Sequence, residues 1–300
     1  MGQSVSANLV EIFSSFQGEG PHVGYSTLFV RFGECDLRCR WCDSPHTWKA
    51  APRCRIEDPE RGERVVANPV SLAEITAAAQ ALGVERHRFV SLTGGEPLLQ
   101  PDAVRATAEV LRVRASFAQQ GQVSRSERKF RAASRRRAKT TRGASEGHQG
   151  GERRPAGPRI LLETHGLATA ALEQVIGAID VVSMDWKLAS EVARADAPRG
   201  AREEFHAEHA EFLRVARRAP EVYVKVVVTP TTRDAELDAL AQHVAAVDPA
   251  VLLVIQPVTP RGPVKGSPGP AQLLAWQERL ERSLRDVRVI PQTHPALGVR

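Results

Sequence analysis

Short apolar runs alternate with helical patterns along the second half of the chain, and this alternation restricts its fold more than any other feature. Runs typical of strands lie at residues 160–162, 181–184, 222–228, 252–256 and 287–290. Amphipathic helical patterns separate them, at about 168–179, 203–217, 235–247 and 271–284. Strands that alternate with helices form parallel βα units. We therefore predict an α/β protein, built as an incomplete βα barrel.

The first hundred residues contain the same two kinds of element. Strands are predicted at 9–13, 27–32 and 89–92, where β-branched and aromatic residues are frequent. Ser71 and Glu74 form a capping box that opens an alanine-rich helix, and Gly83 closes that helix. A further helix follows from about residue 102. Polar residues such as Thr93 stand where strands end, so we expect the active site at one mouth of the barrel.

The positive charge of the chain is concentrated in one segment. Residues 112–159 contain 14 Lys and Arg but three acids, so this segment carries +11 while the rest of the chain carries −5. Its few apolar residues cannot offset the entropy cost of ordering. We predict one domain over residues 1–300, with a disordered basic insertion at about 113–158. An RNA-binding arm is the alternative, but basic composition alone has little specificity, and we expect no nucleic-acid partner.

The chain shows no sign of export or of membrane insertion. No apolar run reaches the roughly 18–20 residues that span a bilayer, and the first residues lack a basic start followed by an apolar stretch. Four cysteines in 300 residues are too few for a disulfide scaffold. We therefore expect a cytoplasmic protein with reduced thiols.

Three of the cysteines have the spacing of a metal centre. Cys35, Cys39 and Cys42 form a CxxxCxxC run directly after the predicted strand at 27–32. Three thiolates can ligate three irons of a four-iron cluster, which leaves one iron open to another ligand. A zinc site would need a fourth ligand, for which Cys54 or His46 could serve. Buried cysteines without a metal are the remaining alternative.

Together with the run Thr93-Gly-Gly-Glu-Pro97, the cysteine spacing resembles the radical S-adenosylmethionine (SAM) enzymes. The resemblance implies that Cys35, Cys39 and Cys42 hold a [4Fe-4S] cluster and that the methionine part of SAM binds its open iron. It also implies that the Gly94-Gly95-Glu96 edge receives the methionine amino group. Glycines permit close approach to backbone carbonyls, and a carboxylate suits an ammonium group.

Further runs are similar to the 7-carboxy-7-deazaguanine synthases, and the similarity covers most of the chain except the basic insertion. These runs lie at 11–20, 29–32, 42–44, 163–166, 185–187, 254–258 and 291–294. The family implies a modified, incomplete (βα)6-type barrel, commonly a homodimer. It implies a lyase of queuosine biosynthesis that converts 6-carboxy-5,6,7,8-tetrahydropterin to 7-carboxy-7-deazaguanine with loss of ammonia. Magnesium and an electron donor such as flavodoxin or ferredoxin are also implied.

The same resemblance implies roles for individual residues, none of them a catalytic side chain. Substrate-binding roles fall on Gln17, Glu19, Arg31, Thr93, Gln256 and His294. Cofactor-binding roles fall on Gly94, Gly95, Glu96, Glu163 and Lys187. The planar fork of Arg31 suits a substrate carboxylate, and strand alternation lets it face the lumen. Ser44 stands where the family usually has threonine and would contribute its hydroxyl to the magnesium site.

One residue of these runs has no implied role. His165 lies in a Glu-Thr-His-Gly run where the family often reads Glu-Thr-Asn-Gly. Two other functions remain as alternatives at this stage. A glycyl-radical activase also uses CxxxCxxC in a short barrel, although the Gln17–Gly20 run and Arg31 weigh against it. A zinc-stabilised RNA-binding protein would use the basic segment.

Overall fold

The computed structural model describes residues 5–112, 157–198 and 203–299. The predicted basic insertion lies outside these residues, apart from its last two. The described strands are β1 (Ser6–Ala7), β2 (Leu9–Phe16), β3 (Ser26–Phe32), β4 (Leu37–Cys39), β5 (Arg53–Asp58), β6 (Gly62–Ala67), β7 (Val70–Ser71), β8 (Phe89–Gly94), β9 (Arg159–Thr164), β10 (Val181–Asp185), β11 (Val192–Arg194), β12 (Glu221–Val228), β13 (Leu252–Pro257) and β14 (Val287–Val289). The helices are α1 (Leu72–Ala81), α2 (101–112), α3 (Thr169–Val175), α4 (His206–Ala216), α5 (Asp234–Val247), α6 (Pro270–Leu280) and α7 (His294–Leu297).

Ten strands form one sheet in the order β14-β13-β12-β10-β9-β8-β3-β2-β5-β6. The seven strands from β14 to β3 are parallel to one another, whereas β2 is antiparallel to β3. Strands β3, β8, β9, β10, β12 and β13 are each followed by a helix, α1 to α6 in order. This is the predicted (βα)6-type barrel, and it is incomplete because β14 and β6 are the unpaired edges of the sheet.

Apolar side chains alternate between the two faces of the sheet. On β8, Val90 and Leu92 pack in the large core beneath the helices, whereas Phe89 faces the lumen. There Phe89 joins Leu161, Tyr223 and other residues from neighbouring strands in a small second core. Because successive side chains of a strand point to opposite faces, one run of apolar residues fills both cores.

The loop between β2 and β3 enters the lumen and packs against the aromatic rings of Tyr223 and Phe89. A Cβ at Gly20 would collide with the Tyr223 ring, and the backbone at Gly20 is left-handed, with φ +65°. His22 packs 4.6 Å from the Phe89 ring, between centroids. Glycine is required at position 20 because of the close Tyr223 ring and because of the left-handed backbone. The close packing of this loop fixes Gln17 and Glu19 inside the barrel.

The predicted strands of both halves are confirmed, and helix starts differ by a few residues. Helix α4 begins at His206 rather than near residue 203, and α1 begins after Ser71, whose Oγ accepts a hydrogen bond from Glu74 N at 3.2 Å. The carboxylate of Glu74 pairs with Arg64 instead of closing the capping box. Sequence analysis missed the hairpin of β5 and β6, which extends the sheet beyond β2.

The Asp180 carboxylate joins the end of α2 to the start of β9. Asp180 Oδ2 accepts a hydrogen bond from Arg112 at 2.8 Å and from Ile160 N at 2.7 Å. Arg112 also donates to Ala178 O at 3.0 Å. The last residue of α2 and the start of β9 are therefore held side by side. Among the described residues, no helix is long and apolar enough to cross a bilayer.

Candidate active site

Cys35, Cys39 and Cys42 lie in the loop that follows β3 and line one cavity. Within this loop β4 pairs with β11, which brings Cys39 opposite Val192. All three cysteines are free thiols of intermediate exposure. We call the space they face the cysteine cavity. The predicted site residues on its wall are Glu19, Cys35, Cys39, Cys42, Thr93, Gly94, Gly95, Glu163, Lys187 and Gln256.

The surroundings of Cys35 and Cys39 favour their neutral thiol forms. Burial raises the pKa of Cys35 to about 11 and that of Cys39 to about 12, so both are neutral thiols without a metal. Among the described residues, no three His, Cys, Asp or Glu side chains converge on a single metal ion. A zinc site needs such convergence, whereas a four-iron cluster binds each cysteine through a different iron. Three thiols spread along one loop are compatible with a cluster in which each would bind its own iron.

Neither proposed fourth zinc ligand lies on the wall of the cysteine cavity. Cys54 is fully buried in β5, within the main core, and its thiol donates to Arg55 O at 3.6 Å. His46 lines a second, neighbouring pocket together with Arg31. The zinc alternative therefore has no fourth ligand from either residue.

The end of β8 packs closely against the cysteine loop. Gly95 N donates to Phe32 O at 3.0 Å, and Glu96 N donates to Glu34 O at 2.8 Å. A Cβ at Gly95 would collide with the carbonyl oxygen of Glu34. Only glycine fits this contact, because the two backbones approach too closely for any side chain. The Gly94-Gly95 edge consequently forms part of the cavity wall.

The Glu96 carboxylate is hydrogen-bonded to three groups of the protein itself. Glu96 is fully buried and does not line the cysteine cavity. Its carboxylate accepts hydrogen bonds from Leu98 N at 3.0 Å, Thr164 Oγ1 at 2.9 Å and His165 N at 2.8 Å. These bonds tie the end of β8 to the end of β9. Contact between Glu96 and an ammonium group stays a prediction.

A row of alternating charges crosses the lumen, and sequence analysis missed one of its four residues, Lys225. Lys225, on β12, pairs with Glu19 and lies 3.0 Å from Asp185 Oδ1, measured from its Nζ. Asp185 Oδ2 in turn accepts a hydrogen bond from Lys187 Nζ at 2.8 Å. We call Glu19, Lys225, Asp185 and Lys187 the charge row. Strand alternation places Tyr223 and Lys225 on one face, which was the available signal.

Asp185, Lys187 and Lys225 stay ionised because each has an opposite charge beside it. Burial favours the neutral acid, but Lys187 and Lys225 lower the pKa of Asp185 to about 2. Burial likewise favours the neutral amines, yet Asp185 raises the pKa of both lysines above the ordinary value. Lys187 Nζ also lies 4.8 Å from the centroid of the Trp41 ring.

The second pocket adjoins the cysteine cavity and contains the predicted carboxylate-binding arginine. We call it the arginine pocket. Its predicted site residues are Gln17, Glu19, Arg31, Ser44, Thr93, Glu163 and His294. Arg31 Nε donates to Glu11 Oε1 at 2.8 Å, and the guanidinium lies 5.6 Å from the Phe13 ring centroid. Ser44 Oγ donates to Asp43 Oδ1 at 2.8 Å on the same wall.

Glu163, at the end of β9, stands between the two pockets and lines both. Its Oε1 accepts hydrogen bonds from Gln17 Nε2 and Ser91 Oγ, each at 2.8 Å. Its Oε2 accepts a hydrogen bond from Thr93 Oγ1, also at 2.8 Å. This carboxylate fixes Gln17 and Thr93 in position, and the sequence did not indicate that connecting role.

Apart from Asp185 Oδ1, which has its ion pair with Lys225, two buried polar atoms on the cavity wall lack a hydrogen-bond partner within the described part of the chain. They are Gln256 Oε1 and Trp41 Nε1. A buried polar group without a partner is costly, and a polar ligand in the cavity would satisfy it. Together with three free thiols and the glycine edge, these atoms fit a cluster with a polar organic cofactor beside it.

Known proteins are similar to this chain in sequence along nearly its whole length, and in fold. The model of the radical SAM superfamily matches residues 30–244. The 7-carboxy-7-deazaguanine synthase of Geobacter sulfurreducens is 35% identical, with 97% of each chain covered. That of Methanothermobacter thermautotrophicus is 30% identical, with 98% of each chain covered. The crystal structure of QueE from Escherichia coli has the same fold, with a TM-score of 0.53 at 18% identity over 96% of this chain and 95% of that chain.

An open parallel barrel with three cysteines after its first barrel strand is the architecture of the radical SAM superfamily, and the superfamily match covers most of this barrel. The full-length similarity then narrows the assignment. The chain belongs to the 7-carboxy-7-deazaguanine synthase family.

Proposed function

We propose that this protein is a radical SAM lyase that converts 6-carboxy-5,6,7,8-tetrahydropterin to 7-carboxy-7-deazaguanine with loss of ammonia, a step of queuosine biosynthesis. The observation that carries the proposal is the adjacency of the two pockets. Glu19, Asp43, Thr93 and Glu163 line both, so a substrate gripped by Arg31 would lie next to a cofactor in the cysteine cavity. Fixing the reacting groups side by side lowers the barrier to reaction.

The residues of the cysteine cavity have distinct tasks in this proposal. Cys35, Cys39 and Cys42 would hold the cluster, and the Gly94-Gly95 edge would receive SAM. When bound, these groups supply the one-electron chemistry that abstracts hydrogen from the substrate. The protein positions the substrate and excludes water. Free thiols need a reducing compartment, which we take to be the cytoplasm. The cluster needs an electron donor, which we take to be a flavodoxin or ferredoxin.

The arginine pocket would fix the substrate carboxylate from two sides. Arg31 offers a planar cationic fork, and Ser44 with Asp43 offers hard oxygen ligands for magnesium. Magnesium usually takes only one or two protein ligands and keeps several waters. A site formed by Ser44, water and the substrate carboxylate is therefore sufficient. We also propose that the protein acts as a homodimer, as is common in the family.

The test is an anaerobic assay of the reconstituted protein with SAM, a chemical reductant and the carboxypterin. We expect 7-carboxy-7-deazaguanine and ammonia in equal amounts, and a lower yield when magnesium is removed. SAM cleavage without conversion of the carboxypterin would disprove the proposed substrate. Activation of a glycyl-radical enzyme under the same conditions would support the activase alternative.

A further inference from the structure

His165 occupies a buried position between the cysteine loop and the end of β8. It directly follows β9 and is 6% exposed. Its Nε2 lies 2.8 Å from Asp36 Oδ1, and its Nδ1 accepts a hydrogen bond from Leu167 N at 3.2 Å. An acceptor at Nδ1 assigns the proton to Nε2, so the ring donates to Asp36. That proton is present in the neutral and in the charged ring, so the bond does not depend on the charge.

Asp36 lies within the cysteine motif, next to Cys35 and three residues before Cys39. Its carbonyl oxygen accepts a hydrogen bond from Ala195 N at 2.7 Å, beside the pairing of β4 with β11. Its carboxylate is 42% exposed and is held by His165. The side chain of Asp36 therefore joins the cysteine loop to β9 through a single imidazole.

The imidazole is not needed for the neighbouring contact between β8 and β9. Glu96 is bonded to Thr164 Oγ1 and to the backbone N of His165, and both groups would remain if the ring were replaced. The His165 ring lies 3.4 Å from Glu96 Oε2, beyond a strong hydrogen bond. Apart from the local bond that Nδ1 accepts from Leu167 N, the hydrogen bond that the ring alone supplies is the one to Asp36.

We propose that His165 is a positioning residue for the cysteine loop. Its ring holds Asp36, and with it the segment from Cys35 to Cys39, at the orientation that the cluster requires beside the Gly94-Gly95 edge. The inference rests on the proposed cluster. Hydrogen bonds around the ligands of a metal centre commonly determine how firmly the centre is held. A loop that lacks this bond should release iron faster.

The experiment compares two substitutions that differ in where they place an amide. In His165→Gln the amide nitrogen can occupy the place of Nε2 and still reach Asp36. In His165→Asn the shorter amide lies near the place of Nδ1, so it can accept from Leu167 N but cannot reach Asp36. Asp36→Ala removes the acceptor altogether, whereas an asparagine would keep a side-chain oxygen that can accept from His165 Nε2. His87→Asn is the matched control, because His87 is also buried and hydrogen-bonded, to Ser14 Oγ at 2.7 Å and Gly83 O at 3.1 Å, but lines neither pocket.

The reconstituted proteins are challenged anaerobically with an iron chelator, and the rate of iron release is measured together with the melting temperature. Loss of a hydrogen bond to a charged group predicts at least about fivefold faster iron release from His165→Asn and from Asp36→Ala. The double variant of His165→Asn with Asp36→Ala should release iron no faster than either single variant, because each single variant already loses the same bond. His165→Gln should stay within about twofold of the native protein. His87→Asn should leave the release rate unchanged, even where it lowers the melting temperature.

A second measurement reports on the orientation of the cluster beside SAM rather than on the retention of iron. The electron paramagnetic resonance spectrum of the reduced cluster is recorded with and without SAM, and the change on adding SAM should be altered in His165→Asn and preserved in His165→Gln. Native iron release from His165→Asn, or additive effects of the two substitutions, would overturn the proposal. Neither measurement uses the pterin, so a wrong substrate leaves the result intact. Failure of the native chain to bind iron would instead contradict the proposed function.

Discussion

At the scale of single residues, we expect Arg31 to bind the substrate carboxylate through the planar geometry of its guanidinium. Its Nε is held by Glu11, so Arg31→Lys would keep the charge but lose the planar fork, and Arg31→Ala would lose both. We expect kcat/KM for the carboxypterin to fall in the order native, lysine, alanine. The alanine variant should lose at least about tenfold, because a charged hydrogen bond contributes roughly 1.5–3 kcal/mol. Native turnover by Arg31→Ala would contradict the carboxylate role, and iron content serves as the control.

Lys225 is the residue whose importance only the structure revealed. Lys225→Met would leave Asp185 and Glu19 with one cation fewer inside the lumen, and breaking a buried pair commonly costs about 3–5 kcal/mol. We expect a lower melting temperature and at least about tenfold lower kcat/KM, since Glu19 would lose its fixed position. The exposed Lys265 provides the matched control, Lys265→Met, which should change neither quantity. Equal effects of the two substitutions would exclude a role for the charge row.

Alanine substitutions should separate the predicted cluster ligands from the cysteine that only packs in the core. Cys35→Ala, Cys39→Ala or Cys42→Ala should each abolish cluster assembly, because each thiolate holds a different iron. Cys54→Ala should retain iron but lower the free energy of unfolding by about 1 kcal/mol, because it removes one buried sulfur from the core. Iron per chain after anaerobic reconstitution checks both. An intact cluster in the Cys39 variant, or none in the Cys54 variant, would refute the assignment.

At the scale of elements, α4 is fixed to the barrel by a histidine that must remain neutral. His209 Nδ1 donates to Gly166 O at 2.9 Å, and His209 Nε2 accepts from Lys187 N at 2.9 Å. Burial holds the pKa of His209 well below 6.5. Below about pH 6.5 the unfolded chain therefore binds a proton that the folded chain does not, and stability is lost as the pH falls.

This linkage predicts that the free energy of unfolding falls by up to about 1.4 kcal/mol per pH unit below pH 6.5 because of His209. Urea unfolding of the apo protein at several pH values measures the slope. In His209→Gln the amide oxygen can still accept from Lys187 N. Because this variant lacks the titrating ring, its slope should be smaller by up to about 1.4 kcal/mol per pH unit, the equivalent of one proton. An unchanged slope would show that His209 is not responsible for the acid sensitivity.

The elements that sequence analysis missed differ from those it found in their surroundings. The parallel strands are buried on both faces and appear as continuous apolar runs, so they were predicted. Strand β5 alternates Cys54 and Ile56 with exposed Arg53 and Arg55, a signal that is weaker because charged residues dominate it. Likewise, the sequence predicts that Glu96 lies at a strand end, but only the folded chain shows its three hydrogen bonds within the protein.

At the scale of the whole molecule, we expect that the basic segment can be removed without disrupting the barrel. Asp180 holds both flanks through Arg112 and Ile160 N, and the segment contains none of the predicted site residues. Deleting residues from about 123 to 155 should leave catalysis within a few-fold of the full chain. Each doubling of loop length changes the closure free energy by only about 0.6 kcal/mol. A folded but inactive deletion variant would show that the segment has a function.

The charge row has a consequence for how the protein responds to ionic strength. Its two lysines are buried, and its two carboxylates are largely shielded by the barrel. Mobile ions screen exposed charges over about 10 Å at 0.1 M salt and about 3 Å at 1 M, but they screen buried pairs much less. Raising the salt concentration should therefore suppress any attraction that the +11 segment exerts and leave the field inside the lumen intact. A salt titration thus distinguishes contributions of the outer charge from those of the inner one without a single substitution.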